Sequence, residues 1–357
     1  MVKQLHKLHA LLEDNKIDAV LINEKVTKRY LDTLEGSGCH ILVTKKESFL
    51  ILDGRYIAEA QEREKDLQII LWNPQDEGSS YLTWVLQYMK QNQLNSIGVE
   101  PSVSIQNYRN LETALNIHIL SDDFERLRMI KSEKEIQRLK KAIHLTDTIY
   151  SKVLDELTLG MSDYEISAKL QYYAIAAGAE KMSFDTIINL GERTAYPHGR
   201  PVGRRISPKE MIMIDFGFQF DGFQSDMTRM VSFGEPSSQM REIYEIVLEA
   251  NIAGIQAMKP GILACEADAA ARSVIEKAGY GQYFTHGLGH GIGMDNATEL
   301  PKVHAKSNMT LEEGMVMSCE PGIYIPGVGG VRIEDNIWIH DGKGVQLNQT
   351  SKELKIL

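Results

Sequence analysis

Cysteine is scarce in this chain: three in 357 residues, Cys39, Cys265 and Cys319, widely spaced and odd in number. No Cys-x-x-Cys pair or Cys/His cluster occurs, which excludes a disulfide framework and a zinc finger and points to a reducing, cytoplasmic setting. Long apolar runs are missing too. Nowhere do ~18 apolar residues follow one another, so no spanning helix is expected. Residues 1–12 alternate charged and apolar side chains and lack the continuous apolar core of a secretory signal. Basic charge is also short, at 39 Lys+Arg against 49 Asp+Glu, a net charge of −10. That balance argues against a nucleic-acid partner, which would show as a basic patch or high pI. Low-complexity tracts, short-period repeats and long linkers are absent. What is left, 43% apolar and 25% charged residues, is the composition of a soluble globular protein long enough for two domains.

The pattern along the chain is α/β. Asp18-Ala-Val-Leu-Ile-Asn, His40-Ile-Leu-Val-Thr, Ser48-Phe-Leu-Ile-Leu and Leu67-Gln-Ile-Ile-Leu-Trp read as strands. Ile57 to Lys65 and Tyr81 to Gln93 between and after them carry helical periodicity. Residues 1–125 therefore predict a small domain with a mixed sheet. A boundary falls near Asp122 to Lys131, and residues 131–357 form the second domain. Ser132-Glu-Lys-Glu135 and Ser162-Asp-Tyr-Glu165 are capping boxes, each opening a helix. The first of these helices carries Ile136, Leu139, Ile143, Ile149 and Val153 on one stripe. Further helices are predicted over Gln239 to Met258 and from Cys265 to Ala278.

The chemistry sits in the segments between and after these helices. Met211 to Thr228 is two alternating apolar runs around Asp221-Gly222, a hairpin signature that sets Asp215 and Asp226 on neighbouring strands. Met315 to Glu320 and Gly330 to His340 supply two more strands. Five short motifs stand out: Ile214-Asp215-Phe216-Gly217, Ser225-Asp226-Met227-Thr228, His286-Gly-Leu-Gly-His290, Cys319-Glu320-Pro321-Gly322 and Val331-Arg332-Ile333-Glu334-Asp335. Asp215, Asp226, His290, Glu320 and Glu334 make a hard, oxygen-rich ligand set for two divalent ions, with Mn²⁺ first and Co²⁺ or Zn²⁺ next. Two such ions can activate a shared water and polarise a scissile carbonyl, so the reaction class is hydrolysis. Arg332, two residues from Glu334 and on the same strand face, is placed to orient ligand carboxylates. Gly287, Gly289, Gly291 and Gly293 superficially suggest a phosphate loop. The Lys-Ser/Thr pair and the strand–loop–helix context are lacking, so close backbone packing is the expectation. Cys319 is expected to be a buried core thiol.

In this order and spacing the motifs resemble the pita-bread metallopeptidases, in the branch that holds prolidase (Xaa-Pro dipeptidase) and aminopeptidase P. The resemblance covers the whole chain, including Asp53-Gly-Arg55-Tyr56 in the first domain. It implies an N-terminal creatinase/prolidase-like domain followed by a pita-bread catalytic domain. It also implies a homodimer acting on a small peptide with proline after the scissile bond, beside the cytoplasmic setting and the lack of a nucleic-acid or membrane partner expected from composition. Asp215 would chelate one ion, Asp226 and Glu334 would bridge both, and His290 and Glu320 would hold the other. Glu320 would also accept the proton from the attacking metal-activated hydroxide's parent water. His198, in Tyr196-Pro-His-Gly, matches a catalytic histidine near the leaving proline nitrogen. His286, Phe184 and Arg332 complete the substrate-binding set.

One stretch departs from the pattern. Where the family runs into Val-His-Glu-x-Pro, this chain reads Met294-Asp-Asn-Ala-Thr-Glu-Leu-Pro301, so the usual histidine falls on Ala297 or Thr298. Hydrolysis of Xaa-Pro dipeptides is the leading expectation. The alternatives are aminopeptidase P activity on longer peptides, or a metal-loaded protein whose substrate or binding role has changed.

Overall fold

The structure, a computed structural model, describes residues 2–76 and 79–357, which divide into two compact units, Met1–Leu127 and Arg128–Leu357. In the first unit the described strands are β1 (Ala19–Ile22), β2 (Cys39–Thr44), β3 (Ser48–Leu52), β4 (Gln68–Leu71), β5 (Ser96–Val99) and β6 (Asn116–Ile119). They form one sheet in the order β4-β3-β2-β1-β5-β6. The sheet is mixed: β1 pairs antiparallel with β2 and parallel with β5. All four runs read as strands from the sequence are strands. β5 and β6 lie outside the runs that the sequence marks as strands, and both have weak local signals. β5 is four residues with a glycine inside, and Gly98 is there because a Cβ would meet Ile17 Cδ1 and Leu120 Cδ1, each at 2.7 Å. β6 is a largely exposed edge strand that alternates with polar residues.

Both capping boxes form in the second unit. Ser132 and Glu135 open the helix Glu133–Asp155, and Ser162 and Glu165 open Asp163–Ala176. The five apolar residues of the predicted stripe, Ile136 to Val153, are all buried. Helices Ser238–Ala257 and Ala264–Lys277 lie within a residue or two of the predicted spans. The strands here are β7 (Lys181–Met182), β8 (Ile187–Leu190), β9 (Met211–Phe216), β10 (Phe218–Phe220), β11 (Phe223–Gln224) and β12 (Met227–Ser232). Near the C-terminus come β13 (Val316–Cys319), β14 (Gly322–Ile325), β15 (Gly329–Arg332), β16 (Asp335–His340), β17 (Lys343–Gln346) and β18 (Lys355–Ile356). Alternate residues of β9 serve two cores. Ile212, Ile214 and Phe216 pack with the first pair of helices, whereas Met211 and Met213 pack with the second pair.

The predicted hairpin is present. Asp221 and Gly222 both have positive φ, 50° and 79°, as a tight Asp-Gly turn of the type matched to strand twist requires. β10 pairs β11 through Phe220↔Phe223, and β9 pairs β12 through Asp215↔Thr228. The two ladders are separated at Gly217. A Cβ there would lie 1.9 Å from Ser225 O, so only glycine lets the arms close at this point.

Candidate metal centre

Asp215 is held inside β9, opposite Thr228. Asp226 lies two residues before Thr228, near enough for the Asp215 carboxylate to act on it. The remaining acids are placed differently from the sequence reading, which put Glu320 and Glu334 within strands. Glu320 comes just after the last residue of β13, and Glu334 lies between β15 and β16. Asp226 likewise sits in the gap before β12. A continuous ladder dictates side-chain direction by its pleat, and breaking it allows the backbone to turn these acids toward a common point.

Buried amides hold the breaks in place. Asn251, fully buried in helix Ser238–Ala257, donates to Cys319 O (2.9 Å) and Ile333 O (3.1 Å), the carbonyls just before Glu320 and Glu334. Asn336 donates to Asp226 O and to Asn348 Oδ1 (2.8 Å). Cys319 itself is fully buried in the core, as expected.

The histidine ligand candidate is oriented by its neighbours. His290 Nδ1 faces Gly291 O at 3.0 Å, which makes Nδ1 the protonated nitrogen and leaves the Nε2 lone pair available. Nε2 lies 3.4 Å from Glu320 Oε1 and 3.7 Å from Asp226 Oδ2. Ser318 ties the two together, accepting from His290 N (3.0 Å) and donating to Glu320 Oε1 (2.9 Å). Ligand atoms of Asp226, His290 and Glu334 all lie within 4.8 Å of one another.

Arg332 is the cation built into this cluster. It ion-pairs with Asp215 and donates to Thr228 Oγ1 (3.0 Å), Tyr324 OH (2.8 Å) and Pro197 O (3.2 Å). Thr228 in turn donates to Glu334 Oε2 at 2.8 Å. Arg332 is thus held by the protein framework, with Asp215 as its carboxylate partner.

The electrostatics call for positive charge. Burial, reinforced by neighbouring carboxylates, pushes Asp226 and Glu334 well above the ordinary carboxylate range, and burial raises Asp215 despite Arg332. Asp215 Oδ1 and Glu334 Oε1 are buried with no hydrogen-bond partner among the described residues. Unpartnered buried carboxylate oxygens beside an available imidazole nitrogen fit divalent ions of the hard or intermediate kind.

A cavity of about 670 Å³ opens onto this cluster. All five ligand candidates line it, as do Arg332, His198, His286 and Phe184. His198 is exposed. His286 is tied to the framework: Nδ1 faces Gly287 O (2.8 Å), so Nε2 accepts from Tyr324 OH (2.9 Å). Burial lowers its pKa and raises that of Tyr324 to about 12, so this pair is neutral near pH 7. At the departure, Ala297 lines the cavity and Thr298 does not, its Oγ1 lying 3.4 Å from Arg128 Nη2. The glycine loop packs by close approach, as expected: a Cβ on Gly289 would be 2.1 Å from Ser318 O, and one on Gly291 2.4 Å from Leu300 O.

Sequence reasoning missed Asn251, Asn336, Thr228 and Tyr324. Two had a usable signal. Thr228 stands two residues beyond Asp226 and therefore shares its face, and Asn251 is a polar residue on the buried stripe of a helix.

Comparison with known proteins shows the family. Residues 137–341 match metallopeptidase family M24, and residues 4–130 match the creatinase/prolidase N-terminal domain. An Xaa-Pro dipeptidase of Pyrococcus furiosus is 36% identical over 99% of this chain and 100% of its own length. The structure of an Xaa-Pro dipeptidase from Bacillus anthracis superposes with a TM-score of 0.94 at 34% identity, covering 100% of this chain and 99% of that one. An X-Pro aminopeptidase from Thermotoga maritima gives 0.86 at 30% identity, with 96% and 98% covered. The fold and site define a metallopeptidase. The chain belongs to metallopeptidase family M24, in the branch that carries a creatinase/prolidase N-terminal domain.

Proposed function

We propose that this enzyme is a metal-dependent exopeptidase that hydrolyses Xaa-Pro dipeptides. The observation that carries this reading is the convergence of Asp215, Asp226, His290, Glu320 and Glu334 on one cavity. Asp215 would hold one ion, His290 and Glu320 a second, and Asp226 and Glu334 would bridge them, with Mn²⁺ the first choice for so oxygen-rich a set. When bound, the ions supply Lewis acidity to the scissile carbonyl and acidify water.

The chain's own residues then divide the work. Glu320 takes the proton from the attacking water. Its Oε1 is engaged by Ser318, and its side chain is 17% exposed, so Oε2 is open to the cavity. Proton transfer over one hydrogen bond is the distance at which a general base acts. His198, exposed at the cavity wall, delivers a proton to the departing prolyl nitrogen. Phe184 offers an apolar surface to the proline ring. Arg332 holds the Asp215 carboxylate aimed at the cluster, and His286, fixed by Tyr324, shapes the pocket as a neutral group. A cytoplasmic homodimer accompanies this reading.

A second reading, cleavage of longer Xaa-Pro peptides, is favoured by the close match to the Thermotoga maritima X-Pro aminopeptidase. The deciding experiment offers Mn²⁺-loaded protein an Xaa-Pro dipeptide and an Xaa-Pro tripeptide, with chelated protein as control. Metal-dependent cleavage of the dipeptide alone is expected. Preferential cleavage of the tripeptide would establish the second reading, and cleavage of neither by metal-loaded protein would move the function to another substrate or a binding role.

A further inference from the structure

The loop that departs from the family sequence brings its own polar group to the cavity. Its ends are fixed. Gly293 O accepts from Gln224 N at 2.7 Å, and Glu299 is held by Arg128 (3.2 Å), Lys131 (3.3 Å) and Met294 N (3.0 Å). Between these points Ala297 contributes only a methyl group, and Thr298 lies against Arg128. Asn296, 6% exposed, lines the cavity. Its Oδ1 accepts from Gly293 N at 3.2 Å, and its backbone N donates to Gln224 Oε1 at 3.0 Å. With Oδ1 so engaged, the amide orientation is set, and Nδ2 points to Asp226 Oδ2 (3.4 Å) and Ser225 O (3.5 Å).

We propose that Asn296 is a positioning residue of this enzyme, whose carboxamide holds the Asp226 carboxylate in its metal-binding orientation. The inference rests on the assignment of Asp226 as a ligand. An amide donor is suited to the place because it carries no charge. It restrains an anion without competing with the cation that the anion binds, which a lysine or arginine there would do. Groups that hydrogen-bond to ligands typically change metal affinity by ~10–100-fold when removed. The contact here is long, so the lower end of that range applies.

The test measures Mn²⁺ affinity by chelator competition, with thermal stability of the chelated protein and turnover at limiting and saturating Mn²⁺. Asn296→Ala should weaken Mn²⁺ binding by about tenfold. The melting temperature of the chelated protein should stay near that of the unsubstituted chain, and turnover should largely recover at saturating Mn²⁺. Unchanged Mn²⁺ affinity, or turnover lost at saturating Mn²⁺ with affinity intact, would overturn the proposal. Should the alanine variant not fold, Asn296→Ser, which retains a short acceptor for Gly293 N–H, reads the same affinity with the same two outcomes. Asp226→Asn runs alongside: if it binds Mn²⁺ like the unsubstituted chain, the ligand assignment itself fails, independently of the result at Asn296.

Discussion

Glu299 and the pair Asp226 and Glu334 are all deeply buried acids of the same structural unit, yet the protein treats them in opposite ways. Glu299, fully buried, has Arg128 and Lys131 at 3.2 and 3.3 Å and a backbone donor from Met294. Burial is the largest influence on it and pushes its pKa up, but the two cations and the hydrogen bonds together bring it below the usual carboxylate range. Asp226 and Glu334 experience the same burial, and the strongest charges acting on them are further carboxylates. Arg332 offers them positive charge but does not offset this, and both remain well above the normal range. Leaving a buried charge uncompensated costs several kcal/mol. The fold therefore neutralises the acid that supports the loop at Glu299 and leaves the acids around the cavity to a cation from outside.

The largest effect expected from this contrast is at the centre where a single arginine faces several acids. Asp226→Ala or Glu334→Ala should reduce turnover to the level of the chelated protein and lower bound Mn²⁺, measured by elemental analysis; near-normal turnover in either would sink the two-ion assignment. At the other centre, Glu299→Gln leaves two buried cations facing each other. It should destabilise the protein by about 3–5 kcal/mol in urea unfolding, the scale for breaking a buried ion pair. Mn²⁺ affinity per folded molecule should fall by no more than about tenfold, the loss expected at Asn296, whose loop Glu299 anchors. A collapse of metal affinity without loss of stability would erase the distinction between the two centres.

A pH series sharpens it. In metal-free protein the folded state holds protons on Asp226 and Glu334 that the unfolded state releases from about pH 4 upward. Because the unfolded state then binds fewer protons, stability falls as pH rises from there through the raised folded-state pKa values. The melting temperature of chelated protein should decline over that interval, and the gain on adding Mn²⁺ should grow with pH. A gain independent of pH would show that these acids are already ionised without metal. The smallest effect is expected at the departing loop. Ala297→His, facing the cavity, should raise turnover, and Thr298→His, facing Arg128, should not; equal rates in both variants and the parent would mean that the absent imidazole limits nothing.

Much of the candidate site was readable from the sequence because each acid sits in a motif whose type and order are themselves unusual, and because Asp215 and Arg332 lie within strands, whose alternation sets their direction. The hairpin was readable because Asp221-Gly222 is a pair that tolerates two positive φ angles. Strands β5 and β6 escaped notice because four-residue strands with Gly98 inside, or polar alternation on an exposed edge, owe their pairing to neighbours distant in sequence. The supporting residues escaped for the same reason. Asn251 acts on Cys319 and Ile333, 68 and 82 positions away, and no local pattern can announce such a contact.

By itself, then, the sequence determined the candidate ligand types, the two-part organisation it predicts, and the helices and turns whose caps and dihedral needs are local. Tertiary structure alone decided that Glu320 and Glu334 leave their strands to reach a common point, that His290 presents Nε2 and not Nδ1, and that Asn296 instead of Ala297 or Thr298 meets Asp226. Local rules specify a residue's chemistry and the period of its backbone. Its direction at a strand break, its tautomer and its partners are settled by hydrogen bonds between segments far apart in the chain, which exist only once the chain has folded.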